Sequence, residues 1–184
     1  TLFKIINQLL DADSGIIKKD GQEISINEPK DATAHKIGMV HQHFMLVENF
    51  TVTENIILGN ETTKMGVVNI KDAAKEIAAL SKKYNLDVDP YAKIEDISVG
   101  MQQRVEILKT LYRNADIIIF DEPTAVLTPQ EIDELMEIIR LLKNEGKTVK
   151  TDLASCNIQA SNTFYVNDFY PSLNGKITFT PDYK

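Results

Sequence analysis

Residues 115–124 read Ala-Asp-Ile-Ile-Ile-Phe-Asp-Glu-Pro-Thr, and they give the strongest indication of the fold class. Its run of apolar residues predicts a strand that is buried on both faces, as in a parallel sheet. Two acids, Asp121 and Glu122, follow at the carboxyl end, where open α/β folds bind their ligands. Such a pair suits Mg²⁺ and a nucleotide, with one acid binding the hydrated metal and the next polarising a water. A strand that simply ends in solvated acids is the alternative interpretation.

A second informative stretch precedes this strand, and residues 97–106 read Ile-Ser-Val-Gly-Met-Gln-Gln-Arg-Val-Glu. Ser98 is predicted to cap a helix, because apolar residues then recur at helical spacing. These are Met101, Val105, Leu108 and Leu111. A Ser and a Gly at a helix start can bind an anion, since the free amides point outward and Gly100 lets a phosphate approach. An ordinary capped amphipathic helix is the alternative.

Together the two stretches resemble the signature motif and the Walker B strand of ABC transporter ATPases. The resemblance implies an α/β fold, with a P-loop NTPase-like sheet core and an inserted helical subdomain. It implies ATP and Mg²⁺ as ligands, with Asp121 at the metal and Glu122 as the catalytic residue. It also implies nucleotide contacts from Ser98, Gly100 and Gln102.

The stretch at residues 36–44 matches the same family, and it reads Lys-Ile-Gly-Met-Val-His-Gln-His-Phe. The pattern predicts a short strand that runs into a loop, and it resembles the family's Q-loop. The resemblance implies that Gln42 contacts Mg²⁺ and the γ-phosphate, takes part in catalysis and meets the membrane partner. His41 and His43 flank Gln42 at strand spacing, but two histidines without a third ligand make a weak zinc site.

Residues 125–131 occupy the family's D-loop position, and Thr128 stands where the usual D-loop has Asp. Thr128, Pro129 and Glu131 predict a capping box at the start of an amphipathic helix. The wording of all these motifs is closest to the ATPase subunits of simple-sugar and nucleoside importers. In that branch two cassettes are fused, and the motifs resemble those of the first cassette.

The resemblance covers residues 1–149 and is incomplete at both ends. Thr1 occupies the place of the last residue of the family's phosphate-binding loop, so we expect the glycines, Lys and Ser of that loop before residue 1. The family's switch His falls at Ala154, which carries no base. Residues 150–184 are an unassigned tail, in which residues 173–177 predict a turn into a strand.

Periodicity and turn signals predict the remaining elements. They are a helix at residues 1–10, a hairpin at 15–26 around Asp20-Gly21, a short helix at 29–36, a helix capped by Thr51 or Thr53, a loop at 59–66 and an amphipathic helix at 70–84. The helical subdomain is expected at about residues 45–112.

Composition agrees with a cytosolic globular domain. The chain has 184 residues and is 43% hydrophobic, which is enough for one sizeable core. Its net charge of −7 argues against nonspecific nucleic-acid binding. No apolar run approaches the ~20 residues that span a bilayer. A single cysteine excludes an internal disulfide.

The resemblance also implies partners and a location. The partners are a second ABC cassette, fused or separate, transmembrane permease subunits that dock around residues 44–58, and indirectly a solute-binding protein, all without nucleic acid. The location is the cytoplasmic face of the membrane. Two alternatives stay open: a truncated or decayed cassette without ATPase activity, and a DNA-repair or chromosome-maintenance ATPase, which would need long heptad arms. The sequence leaves the transported solute open.

Overall fold

A computed structural model describes residues 16–42, 44–61, 63–64, 67–152 and 177–180. The chain forms two compact units, Thr1–Ile37 with Asn157–Lys184, and Gly38–Cys156. Several sequence predictions fall outside the described residues. They are the helix at residues 1–10 with Thr1, the side chain of His43, the switch position at Ala154 and the turn that begins at Leu173.

The first unit contains the predicted hairpin, formed by β1 (Ile16–Lys19) and β2 (Gln22–Ile24), which pair antiparallel. Asp20 and Gly21 make the turn with positive φ angles of 52° and 79°, as the Asp-Gly signal predicts. The strand Ile177–Thr180 pairs antiparallel with β1 and confirms the strand predicted near the end of the tail. A short helix, α1 (Pro29–Ala34), completes the unit and ends earlier than predicted.

The second unit contains a sheet in which β3 (Ile37–Val40), β6 (Ile117–Asp121) and β7 (Thr148–Asp152) lie in that order. β6 and β7 are parallel. The apolar residues of β6 are at most 2% exposed, which confirms a strand buried on both faces. Asp121 and Asp152 are register partners, so both strands end at the same edge of the sheet.

Helices α2 (Val52–Ile57), α3 (Ile70–Lys83) and α4 (Val99–Tyr112) pack against one another. Helix α5 (Pro129–Asn144) packs against β7. The segment predicted as a loop at residues 59–66 contains a short strand, β4 (Thr63–Lys64), which pairs with β5 (Val67–Val68) directly after the loop. A 3-10 turn, Ile94–Asp96, precedes α4. No described helix combines the length and the apolar character that crossing a bilayer requires.

Helix α2 resolves the choice between two predicted caps. Thr51 is the N-cap, and its hydroxyl accepts a hydrogen bond from the main-chain N–H of Glu54. The Glu54 carboxylate accepts in return from the N–H of Thr51 at 2.7 Å, which completes a capping box. Thr53 instead donates its hydroxyl to the carbonyl of Pro90 at 2.7 Å.

Helix α4 is buried on more sides than one apolar face. Its predicted face includes Val105 and Leu108, which are buried, but Ile107 on another face is buried as well. A further side of the helix lies close to β3, since a Cβ at Gly38 would meet the side chain of Thr110. With α2 and α3 also packed against it, α4 is a central helix, and the expected single amphipathic face was too narrow.

Candidate functional site

The first cluster of predicted site residues lies at the carboxyl end of β6. Asp121 is the last residue of the strand, and Glu122 begins the turn that follows. Glu122 has a φ angle of +47°, in the left-handed region that few residues other than glycine adopt. Such a conformation turns the chain sharply as it leaves the sheet. Strained backbone of this kind concentrates at functional sites.

Gln42 contacts this cluster directly. It follows β3, the sheet neighbour of β6, so both residues lie where adjacent strands end. Its side-chain Nε2 donates a hydrogen bond of 3.1 Å to Oε2 of Glu122. The sheet therefore joins two residues that are far apart in the sequence. The amide oxygen of Gln42 and the carboxylate oxygens of Asp121 and Glu122 are the kind of ligand that Mg²⁺ prefers.

The second cluster lies at the start of α4. Ser98 is the N-cap, as predicted, and its hydroxyl accepts from the N–H of Met101 at 3.2 Å. The space beside Gly100 is filled by the carboxylate of Glu131, which a Cβ at Gly100 would overlap. Gln102 turns toward the preceding segment and donates to the carbonyls of Ile94 and Ile97 at 3.4 Å each.

Glu131 connects the start of α5 to the start of α4. It completes the predicted capping box, accepting from the N–H and the hydroxyl of Thr128 at 2.9 and 2.8 Å. These hydrogen bonds, and a further one from the N–H of Gly100, hold the pKa of Glu131 below its usual value. The N–H of Gly100, at the helix start predicted to bind an anion, thus already contacts a carboxylate of the same chain.

The small cavity at the start of α4 bears on ligand size. It has a volume of about 110 Å³ and is lined by Ser98, Gly100 and Glu131 among others. Pockets that bind a drug-sized ligand have about 300–1,000 Å³. Within one chain this cavity is therefore too small for a nucleotide. A larger open cleft of about 1020 Å³ lies between α3 and α5, and its lining includes none of the predicted site residues.

One residue that the sequence analysis did not single out connects the two clusters. Gln103 on α4 is 3% exposed, and its Nε2 donates a hydrogen bond of 2.6 Å to the carbonyl of Pro123. Pro123 directly follows Glu122. Gln103 lies beside the apolar positions of the helix in the sequence, but its burial and its need for a partner are evident only in the structure.

Arg104, which lies on the helix that begins at Ser98, makes structural contacts. Arg104 forms an ion pair with Glu134 and donates to the carbonyl of Leu86 at 3.0 Å. Across the part of the chain that the structure describes, no three His, Cys, Asp or Glu side chains cluster as metal ligands. His41 therefore has no described metal-binding cluster around it.

Sequence comparison identifies relatives of the chain. A family profile for ABC transporters matches residues 1–125. The nucleoside import ATP-binding protein NupA of Lactococcus lactis is 59% identical over 149 residues, which cover 81% of this chain and 29% of that protein. The guanosine import ATP-binding protein NupO of Bacillus subtilis is 56% identical over 149 residues with the same coverage. The chain thus spans less than a third of the length of these relatives.

Solved structures show the same fold. An ATP-binding cassette of an ABC transporter in its ADP conformation matches with a TM-score of 0.69 and 23% identity, covering 82% of this chain and 63% of that one. The dimeric structure of a bacterial ABC transporter cassette matches with a TM-score of 0.64 and 25% identity, covering 82% and 67%. These likenesses confirm the predicted P-loop NTPase-like α/β fold.

Proposed function

Because the chain belongs to the ABC transporter family, we propose that it couples ATP binding and hydrolysis to the import of a nucleoside, a sugar or a similar small solute. The observation that carries the proposal is the contact between Gln42 and Glu122 at the end of a buried strand. The names of the relatives support the solute class, since one is a nucleoside importer subunit and another a guanosine importer subunit.

The site residues divide the chemistry between them. Asp121 would hold a hydrated Mg²⁺ ion, which when bound would supply positive charge near the transferred phosphoryl group. Glu122 orients the attacking water and accepts its proton. Gln42 restrains the Glu122 carboxylate through its amide N–H, and its amide oxygen would be available to Mg²⁺ and to the γ-phosphate. The carboxylate oxygens of Asp121 and Glu122 and the amide oxygen of Gln42 at the sheet edge suit these roles.

A second cassette supplies what one chain lacks. The cavity at Ser98 and Gly100 is too small for a nucleotide, so in our proposal this helix start contacts a γ-phosphate bound mainly by the partner cassette. The dimeric form of a similar cassette supports this arrangement. Thr1 and Gln102 would contact the nucleotide in the same assembly. Glu131 must release the N–H of Gly100 when the phosphate arrives.

The membrane partner would dock on the segment that follows Gln42. Four large apolar residues in this segment are exposed to solvent. They are Met45, Val47, Phe50 and Leu58. Exposed apolar side chains are typical of interaction surfaces where they form a contiguous patch. We place permease subunits at this surface, which puts the chain on the cytoplasmic face of the membrane, with a solute-binding protein acting indirectly. The proposed assembly includes no nucleic acid.

The decisive experiment uses a chimera in which residues 1–149 replace the matching segment of the Lactococcus relative. We expect the chimera to hydrolyse ATP and to support nucleoside uptake. The 184-residue chain has no Gly-x-x-x-x-Gly-Lys-[Ser/Thr] motif, and so lacks the amide cradle and the Lys that bind the β- and γ-phosphates. We therefore expect the chain by itself to bind Mg-ATP weakly and to be inactive. Calorimetry that gives a micromolar dissociation constant for the 184-residue chain would contradict this expectation.

The non-enzymatic alternative is tested by the same chimera. A decayed cassette would leave the chimera folded, as judged by circular dichroism, but without ATP hydrolysis. The chromosome-maintenance alternative is disfavoured by length, because the longest described helix between Gln42 and Ser98 is the 14-residue α3. Long heptad arms would require far more chain than this interval provides.

A further inference from the structure

The segment that follows Gln42 is bound to α4 through both main-chain groups of one residue. The N–H of Met45 donates to Oε1 of Glu106 at 3.0 Å. The carbonyl of Met45 accepts from Nζ of Lys109 at 3.1 Å. Glu106 and Lys109 are themselves an ion pair at 3.5 Å, one turn apart on the helix. We call Glu106 and Lys109 the main-chain clamp.

The clamp joins a buried carboxylate to the main chain of an exposed residue. Glu106 is 2% exposed, whereas the side chain of Met45 is 65% exposed. Buried ion pairs add little net stability compared with apolar residues of the same volume. The two charged side chains instead supply a hydrogen-bond acceptor and a donor to the main chain of the loop. The N–H and C=O groups of a loop residue have no neighbouring strand to bind, so they need such partners.

Asn55 on α2 binds the same loop two residues later. Its amide oxygen accepts from the N–H of Val47 at 2.7 Å, and its Nδ2 donates to the carbonyl of Val47 at 3.0 Å. Alternate residues of the loop are therefore bound by buried side chains in the way that a neighbouring strand would bind them. The loop is attached to the helices, while Met45 and Val47 themselves are exposed.

Helix α4 also reaches the other half of the Gln42–Glu122 contact. Gln103, which binds the carbonyl of Pro123 next to Glu122, lies three residues before Glu106 and so on the same helical face. One buried polar face of α4 thus binds the chain beside Glu122 and, through Met45, the chain beside Gln42. Two residues separate Gln42 from Met45 in the sequence, so the Cα atoms of Gln42 and Met45 lie at most about 11 Å apart.

We propose that Gln103 and the main-chain clamp are positioning residues, which hold Gln42 and Glu122 in contact by binding the main chain beside them. A movement of α4 would therefore change the Gln42–Glu122 contact. The catalytic part of this inference rests on the proposed function. Its structural part, the attachment of Met45 to α4, does not. A movement of the helix start at Ser98 would then be transmitted to the catalytic pair through the buried face of the helix rather than through the bound nucleotide alone.

The structural part is tested on the 184-residue chain by amide hydrogen exchange at Met45, with Ile118 in β6 as the reporter of global unfolding. We expect Glu106→Leu to speed exchange at Met45 about fivefold or more relative to Ile118, since one hydrogen bond to a charged acceptor is lost. Glu106→Gln, which keeps an acceptor, should have a smaller effect. Glu95→Gln is the matched control, because it removes the charge of an exposed ion pair with Lys93. Parallel changes at Met45 and Ile118 would overturn the inference.

The catalytic part is tested in the chimera. We expect Glu106→Gln to lower kcat for ATP with little change in KM, and Lys109→Met to do the same. If the clamp acts through Gln42, the losses caused by Gln42→Ala and Glu106→Leu will not multiply when combined. Multiplying losses would overturn the positioning role. An unsubstituted chimera without activity would instead count against the proposed function, and the exchange result would then decide on the clamp.

Discussion

Gln103 donates a hydrogen bond of 2.6 Å to the carbonyl of Pro123, and both residues are buried. Gln103 belongs to the helix that begins at Ser98, and Pro123 follows the acid pair at the end of β6. The two clusters of site residues are therefore joined inside the core of a single chain. The helix start and the sheet edge are thus parts of one packed unit.

We expect Gln103→Met to destabilise the chain by about 1–3 kcal/mol, because the buried carbonyl of Pro123 loses its donor while the side-chain volume is kept. Gln102→Met is the matched control on the next residue. Gln102 makes only long contacts of 3.4 Å, and its loss should cost much less. Urea denaturation of the 184-residue chain measures both values. Equal losses of unfolding free energy in the two variants would show that the Gln103–Pro123 hydrogen bond stabilises the chain no more than the contacts of Gln102 do.

Glu122→Gln in the chimera should leave ATP binding intact and slow hydrolysis by about 10²–10⁴-fold, since an amide cannot accept the proton of the attacking water. The contact with Gln42 can persist, because the amide oxygen still accepts a hydrogen bond. The variant should accumulate in the closed, ATP-bound dimer. Single-turnover hydrolysis and size-exclusion chromatography with ATP check these results, with Glu95→Gln as the control. Near-normal turnover would remove Glu122 from the catalytic role.

Gly100→Ala should destabilise the chain by about 1 kcal/mol, because the new methyl group displaces Glu131 from its capping box. In a Glu131→Ala background the same substitution should be neutral or stabilising, since the clash is gone and Ala favours the helix. The two substitutions are thus expected to be strongly non-additive in chemical denaturation. Additive effects would mean that Glu131 does not occupy the space beside Gly100.

The same set of variants gives the stability baseline for Gly100→Asp, which we expect to block ATP-dependent dimerisation in the chimera.

The capping box of Glu131 should make stability depend on acid pH. Hydrogen bonds from Thr128 and Gly100 lower the pKa of Glu131 below its ordinary value of 4.5, so the carboxylate stabilises the folded state above that pH. This contribution is lost as the pH falls through the lowered pKa. We expect the free energy of unfolding of Glu131→Gln to fall less steeply with acid than that of the unsubstituted chain. Urea titrations at pH 6 and at acid pH test this, with the exposed Glu137→Gln on the same helix as the control.

The sequence alone determined those features that depend on short-range pattern. Four apolar residues followed by two acids predicted a strand buried on both faces, and β6 has that form. Ser98 and Thr128 were predicted as helix caps, and both cap their helices. The reason is physical: a cap or a buried strand is specified by residues only a few positions apart. The family resemblance rests on the same local patterns.

Only the tertiary structure decided which distant groups meet. Gln42 and Glu122 touch because β3 and β6 are neighbours in the sheet, and strand order is not written in any local pattern. Helix α4 appeared amphipathic in the sequence, yet its polar residues Gln103 and Glu106 are buried. A buried polar side chain is stable only where a partner satisfies it, and those partners, at Pro123 and Met45, come from loops far along the chain. Local sequence therefore determined the elements, and packing decided how one helix binds both halves of the candidate site.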